Sequence, residues 1–299
     1  MRKITKIHVY PTGRLGNQLY FASMALALRK ILDSQSVENK IIFYSSEHTK
    51  ALELLFNFKA DRVKKTPLLF KFIGKKSMRD ANYVIRGIHK ATLIKRQLFA
   101  SEVFLFSDLQ KKLTTRINIS RSQHEYAFFK SIKVDLIANK QKYKSKTYAS
   151  NGFQIENFDS AVALHMRFGD FLEPSVANQY GNLDTKYYSK AIEILADNEP
   201  IQEIEIQLFS DDIDKSKKLL AQIGCVNVKT LETEDLKPEE ELLIMSQYTR
   251  IIISNSTFSW WAGYLAENNA TVIAPNPLMK NAASELSRSP NWTYIDGWL

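Results

Sequence analysis

The chain has 299 residues, of which 44% are hydrophobic, 11% aromatic and 24% charged, enough apolar material to bury one large core or two modest ones. Ten glycines and eight prolines are too few for a collagenous or low-complexity chain, and one cysteine, Cys225, excludes an intrachain disulfide and a cysteine-rich zinc site. The net charge of +9 conceals two unlike halves: residues 1–150 carry 30 Lys and Arg against 10 Asp and Glu, a balance of +20, while residues 151–299 carry 11 against 22, a balance of −11.

Such a split is expected when two domains meet different partners, the basic one facing a membrane surface, phosphate groups or nucleic acid. Aromatics interleave with the basic residues (Phe56, Phe58, Phe70, Phe72, Tyr126, Phe128, Phe129, Tyr143, Tyr148), a mixture that suits base stacking, an interfacial surface or an ordinary core. A basic RNA-binding protein is the alternative from a different class, but no RNA-recognition signature accompanies the mixture, so no nucleic-acid partner is expected. The N-terminal charges precede no apolar signal region, and no run reaches the roughly 18 apolar residues that cross a bilayer. The expectation is a cytoplasmic protein, with peripheral contact between its basic half and an anionic inner leaflet.

In chain order, Ile4–Tyr10 reads as a strand, PTGRLGNQ as a loop, Leu19–Leu32 as a long alanine-rich helix and Lys40–Tyr44 as a second strand, which together make a βαβ unit. Residues 53–146 are irregular and lysine-rich and read mainly as helices. A polar stretch at 145–152 reads as a linker, which sets the domains at 1–150 and 151–299. Beyond it, strands at 161–167, 203–210, 226–231, 250–254 and 271–274 alternate with helices at 185–196, 214–223, 239–248 and 256–268. That alternation predicts a parallel, doubly wound α/β sheet.

Ligands of open α/β sheets bind beyond the carboxyl ends of the strands. Four strand ends carry chemistry. The run Gly13-Arg14-Leu15-Gly16-Asn17-Gln18 offers two glycines and a helix start, which reads either as a cradle for a phosphate or sugar or as a plain turn. Its spacing matches neither a Walker A loop nor a Gly-x-Gly-x-x-Gly fingerprint. His165-Met166-Arg167-Phe168-Gly169-Asp170 puts an imidazole, a cation and a carboxylate at one strand end. Arg167 could grip phosphate oxygens bidentately, whereas His165 also reads as a core histidine and Asp170 as a cap. Ser254 to Ser259 (SNSTFS) opens a helix with Asn255, Ser256, Thr257 and Phe258, able to cap it or to grip an anion. Trp260 and Trp261, next on that helix, read as packing.

Ser210-Asp211-Asp212 is the weaker fourth end. Asp212-Ile213-Asp214 spells Asp-x-Asp, a metal-binding signature, but its place at a strand-to-helix junction favours capping. The acidic run Glu232, Glu234, Asp235 and Glu239–Glu241 reads as a solvated face, and no histidine spacing fits zinc. No metal and no cofactor are expected.

The blocks GRLGNQLYFASMALAL, AVALHMRFGDF, LDTKYYSKAI, LFSDD and EELLIMSQYTRIIISNSTFSWWAGYL, in that order over roughly residues 7–275, resemble glycosyltransferase family 11, the α-1,2-fucosyltransferases. Residues 50–150 match poorly. One departure stands out: the family's His-x-Arg-Arg-x-Asp has Phe168 in place of its second arginine, while Arg167 matches the first. The N-terminal loop also reads Gly-Arg where Gly-Gly is common.

The resemblance implies a GT-B architecture of two Rossmann-like domains facing across a cleft, with residues 1–150 on the acceptor side and residues 151–299 binding GDP-fucose. It implies an inverting, metal-independent transfer of fucose to the 2-hydroxyl of a galactose-containing surface glycan. The catalytic set would be Arg167 on the diphosphate, His165 orienting the site, Asn17 on the sugar or acceptor and Asp170 as base, the alternative to a base being a loosely dissociative path that needs no strong one. Donor contacts would come from Gly13, Arg14, Gly16, Asn17, Gln18, Arg167, Ser210, Asp211, Asp212, Asn255, Ser256, Thr257 and Phe258. A transferase of the same build using another nucleotide sugar or another fucose linkage is the nearest alternative.

Overall fold

A computed structural model describes residues 4–11, 13–44, 51–53, 58, 60–64, 98–99, 116–119, 129–130, 132–133, 135–137, 158–169, 181, 183–231, 236–266, 270–278 and 288–296. The chain divides into two compact units, Met1–Asn139 and Lys140–Leu299. The polar stretch at 145–152, read above as the linker, lies outside the described residues.

In the first unit, strands β1 (Thr5–Val9), β2 (Asn39–Tyr44), β3 (Arg62–Lys64), β4 (Leu98–Phe99) and β5 (Arg116–Ile119) form a sheet of order β3-β2-β1-β5-β4, with every pairing parallel. The expectation of mainly helices over 53–146 falls largely outside the described residues, but it missed three strands from that region that complete the sheet. Short strands of two to four residues, one of them rich in lysine and arginine, carry too little alternation to announce themselves; partners distant in sequence define them.

Helix α1 (Leu15–Ser34) connects β1 to β2 and is buried along most of its length. Alanine, leucine and methionine give it high intrinsic propensity and no bulky polar face. It starts at Leu15 rather than at Leu19, because Gly13 takes a left-handed turn (φ +78°) that reverses the chain just ahead of it. Phe58 and Phe129, two of the aromatics in the basic region, are core residues: Phe58 meets Phe43 edge-on at 4.9 Å and Phe129 packs on Tyr20 at 5.0 Å.

The second unit holds β6 (Val162–Met166), β7 (Ile206–Ser210), β8 (Val228–Thr230), β9 (Arg250–Ile252), β10 (Thr271–Asn276) and β11 (Thr293–Asp296). Their order, β11-β10-β9-β6-β7-β8, is all parallel and, counted within this unit, runs 6-5-4-1-2-3. That is the doubly wound Rossmann arrangement. Intervening helices are α2 (Thr185–Ala196), α3 (Ile213–Ile223), α4 (Pro238–Met245) and α5 (Thr257–Leu265).

The helix boundaries follow the sequence's own stop signals. Asp184 caps α2 by accepting hydrogen bonds from the Lys186 and Tyr187 amides at 3.0 and 3.1 Å. Gly224 ends α3 with φ +96°. Val162, Leu164, Ile206 and Leu208 are buried beneath Tyr187, Tyr188 and Ile192 of α2, and Trp260 and Trp261 are wholly buried on α5, perpendicular to each other at 5.1 Å. Truncating either tryptophan to alanine would cost about 3–5 kcal/mol. The last strand, β11, was not anticipated. Tyr294 and Ile295 pair with Ala274 and Pro275 of β10, contacts that local pattern does not announce.

Candidate active site

In the second unit the winding of the sheet reverses between β6 and β9, and the two strands pair directly, Leu164 opposite Ile252. Chains leaving these neighbouring strand ends diverge to opposite faces and leave a crevice at their carboxyl ends. Into that crevice run residues 165–169 and the SNSTFS segment, which are separated by nearly ninety positions in sequence.

His165, on β6, joins them. Its Nδ1 lies 2.8 Å from the Ser254 hydroxyl, and its ring stacks on Phe258 with centroids 5.5 Å apart. The Ser259 hydroxyl lies 3.5 Å from that of Ser254 and donates to the Ser256 carbonyl at 3.2 Å, tying the imidazole to the first turn of α5. Burial, helped by the positive charge of Arg167, pushes the His165 pKa down to about 3. The imidazole is thus neutral at physiological pH and acts as a fixed hydrogen-bonding group rather than a cation.

Arg167 follows the strand. Its Nη1 donates to Asp211 Oδ2 at 2.7 Å, with the two side chains 14% and 25% exposed. The same carboxylate accepts from the Phe168 amide through Oδ1 at 2.9 Å. Asp211 therefore serves as the clamp that aims the guanidinium, a role that sequence alone did not assign to it. The pair is half-buried but open to solvent, and a guanidinium has five N–H donors, so one carboxylate does not exhaust it. Gly169 makes the clamp possible: a Cβ there would stand 2.5 Å from Asp211 Oδ2 and 3.3 Å from Arg167 Nη2.

Phe168, where the family motif has a second arginine, is buried in the core of this unit. Asp170, the expected base, lies outside the described residues.

At the start of α5, the Ser256 hydroxyl caps the helix by accepting from the Phe258 amide at 3.2 Å. Thr257 and Phe258 form its half-buried first turn. Asn255 is buried and donates through Nδ2 to the Gly181 carbonyl at 2.9 Å, so its side chain is engaged within the unit. The Tyr187 hydroxyl, missed in sequence, donates to the Ile253 carbonyl at 2.6 Å and braces the end of β9.

At the end of β7, Asp212 caps α3 by accepting from the Lys215 amide at 3.0 Å. The Ser216 hydroxyl donates to Ser210 Oγ at 2.8 Å and to the Asp212 carbonyl at 2.7 Å. Ser210 and Asp212 are thus engaged in building the turn. Among the described residues no three His, Cys, Asp or Glu side chains converge as metal ligands. The acidic run at 239–241 is not a solvated face: Glu239 is buried, and burial, then the charge of Asp211, pushes the Glu241 carboxyl above its usual range.

In the first unit the Gly13–Gln18 segment lies at the carboxyl end of β1. Arg14 is exposed, Gly16 buried and Asn17 half-buried on the first turn of α1. The Gln18 side chain donates to the Gly13 carbonyl at 2.8 Å, locking the turn, and a Cβ on Gly13 would collide with Asn17 Nδ2 at 2.5 Å. Beside it Tyr10 and Tyr44 stack in parallel at 4.3 Å, and the Tyr44 hydroxyl lies 3.3 Å from His8 Nδ1. Neither tyrosine stood out in sequence, because a tyrosine at a strand end is common.

No helix among the described residues is long and apolar enough to cross a membrane. The chain shares 32% identity over 120 residues with an α-1,2-colitosyltransferase of Escherichia coli, covering 40% of this chain and 41% of that protein. It shares 33% over 108 residues with the O-antigen biosynthesis glycosyltransferase WbnK of E. coli, covering 36% and 34%. The matched part thus spans about two fifths or less of these relatives' length. Among solved structures, the fucosyltransferase NodZ from Bradyrhizobium aligns over 88% of this chain and 93% of its own, at 11% identity and a TM-score of 0.46. The model of glycosyl transferase family 11 matches residues 1–296, and with both motif-bearing strand ends joined in one crevice, the chain belongs to that family.

Proposed function

We propose that the protein transfers L-fucose from GDP-β-L-fucose to the 2-hydroxyl of a galactoside in a surface glycan, with inversion and without a metal. The observation that carries this reading is the clamped Arg167 at the switch point between β6 and β9, where a nucleotide's diphosphate sits in doubly wound sheets. The α-1,2 linkage in the name of one relative and the O-antigen role in the name of the other support the linkage and the acceptor class.

In the reaction the C1–O bond to GDP breaks, positive charge develops on the sugar ring and negative charge on the departing diphosphate. Arg167, together with the amides and hydroxyls of Ser256 and Thr257, would meet that charge. Each such contact is worth about 2–4 kcal/mol in the transition state. Neutral His165 orients the crevice by holding Ser254 and Phe258 without adding a charge of its own. The acceptor oxygen forms the new bond to C1 from the opposite face and gives up its proton, for which Asp170 is the proposed base. Asn17 is proposed to bond the fucose or the acceptor, as the family resemblance implies. The basic first half is proposed to contact anionic lipid, checked by sedimentation with anionic and neutral liposomes.

A second reading has a colitosyl donor in place of fucose, favoured by the name of the first relative. One assay decides between them: GDP-fucose and GDP-colitose offered with a panel of β-galactosides, the products solved for sugar and linkage. An α-1,2-fucosyl product supports the proposal. Transfer from neither guanosine donor while another nucleotide sugar is consumed would overturn it.

A further inference from the structure

The clamp on Arg167 creates an electrostatic deficit. Asp211 cancels its charge at 2.7 Å, so beyond a few ångströms the pair presents almost no net field, whereas the diphosphate of a nucleotide sugar carries about two negative charges. A second cation lies over the ring of the residue next to Arg167. Lys215 lies on the first turn of α3 with its Nζ 4.5 Å from the centroid of the Phe168 ring, and Phe168 is both the residue next to Arg167 and, through its amide, a partner of Asp211.

Two features set this lysine apart from an ordinary surface charge. A cation in a helix's first turn opposes the helix dipole, which favours acids there. And among the described residues no carboxylate pairs with its ammonium; its contacts are the Phe168 ring and the capping bond from its amide to Asp212. The ring fixes the ammonium by cation–π attraction without neutralising it. Phe168 stands where the family motif carries an arginine, so at this corner a positive charge reaches the ring from the neighbouring helix instead.

We propose that Lys215 is a second donor-anchoring cation, which with Arg167 grips the diphosphate of the nucleotide-sugar donor; this rests on the nucleotide-sugar reading above. Arg167 supplies the aimed, planar contact, and Lys215 supplies the net charge that the clamp removes. Its exposed position lets the ammonium swing from the ring onto phosphate oxygens.

The test uses Lys215→Met, which keeps the stem over Phe168 and deletes the charge, and Lys215→Arg, which keeps it. Calorimetry would measure GDP, ADP, UDP and GMP binding to each protein at low and moderate salt, with melting temperature as the control for folding. Expected is roughly tenfold weaker diphosphate binding by Lys215→Met, a smaller loss for GMP, a shallower salt dependence, an unchanged melting temperature and near-complete retention in Lys215→Arg. Equal GDP affinity in wild type and Lys215→Met would overturn the inference while leaving the donor reading intact. If the wild type prefers ADP or UDP and Lys215→Met still loses that binding tenfold, the guanosine donor falls and the role of Lys215 stands. Binding of no nucleoside diphosphate by the wild type would overturn both.

Discussion

Replacing His165 by asparagine gives a thermodynamic measure of how the crevice is built. Burial, then the charge of Arg167, lowers the pKa of His165 to about 3 in the folded protein, against an ordinary value of about 6.5 in the unfolded chain. Below pH 6.5 the unfolded state therefore binds a proton that the native state refuses, and stability falls as pH falls, by up to about 1.4 kcal/mol per pH unit. Between pH 7.5 and pH 4.5 the contribution amounts to roughly 2–3 kcal/mol, with nearly all of the loss below pH 6.5. Asparagine keeps a polar atom close to the Nδ1 position that meets Ser254 but has no proton to take up. At pH 7.5 the variant is the less stable protein, since it loses the stacking on Phe258. As the pH is lowered to 4.5 the gap between wild type and variant should shrink by roughly 2–3 kcal/mol. Urea unfolding of both proteins at half-unit pH steps measures it, because acid effects common to both cancel in the difference. A gap that stays constant from pH 7.5 to 4.5 would show that the imidazole titrates normally, and the picture of a dry, neutral histidine wedged between two strand ends would be wrong.

Three further outcomes are expected. Arg167→Ala should lower kcat for sugar transfer by about 10²–10³ with a folded circular-dichroism spectrum; near-normal turnover would remove Arg167 from the diphosphate. Gly169→Ala should dislodge the Asp211 carboxylate, lowering stability by about 1–3 kcal/mol and transfer by tenfold or more, while an unchanged melting curve and rate would show that the clamp is dispensable. Treatment with EDTA should leave transfer unaffected, and a complete loss restored by Mn²⁺ would assign Asp212 and Asp214 to a metal.

Much of this protein was legible in its one-dimensional pattern because the physics involved is local. The alternation of apolar runs with capped helices announced the second unit's parallel sheet: Asp184 and Asp212 cap helices where their neighbours said helices should begin, and Gly224 ends one where only glycine is comfortable. The strand ends that matter were likewise marked by their chemistry, and the burial of Trp260 and Trp261 followed from their composition. Tertiary structure decided what depends on distant partners. Strands β3, β4 and β5 exist through pairing rather than propensity. Asp211 became the clamp on Arg167 because β7 lies beside β6, and Phe168 became core because α2 and α3 close over it, a fate that six letters of motif cannot disclose. Whether a carboxylate caps, clamps or binds depends on which charges surround it in space, and it was the meeting of β6 with β9 that turned two separate segments into one crevice.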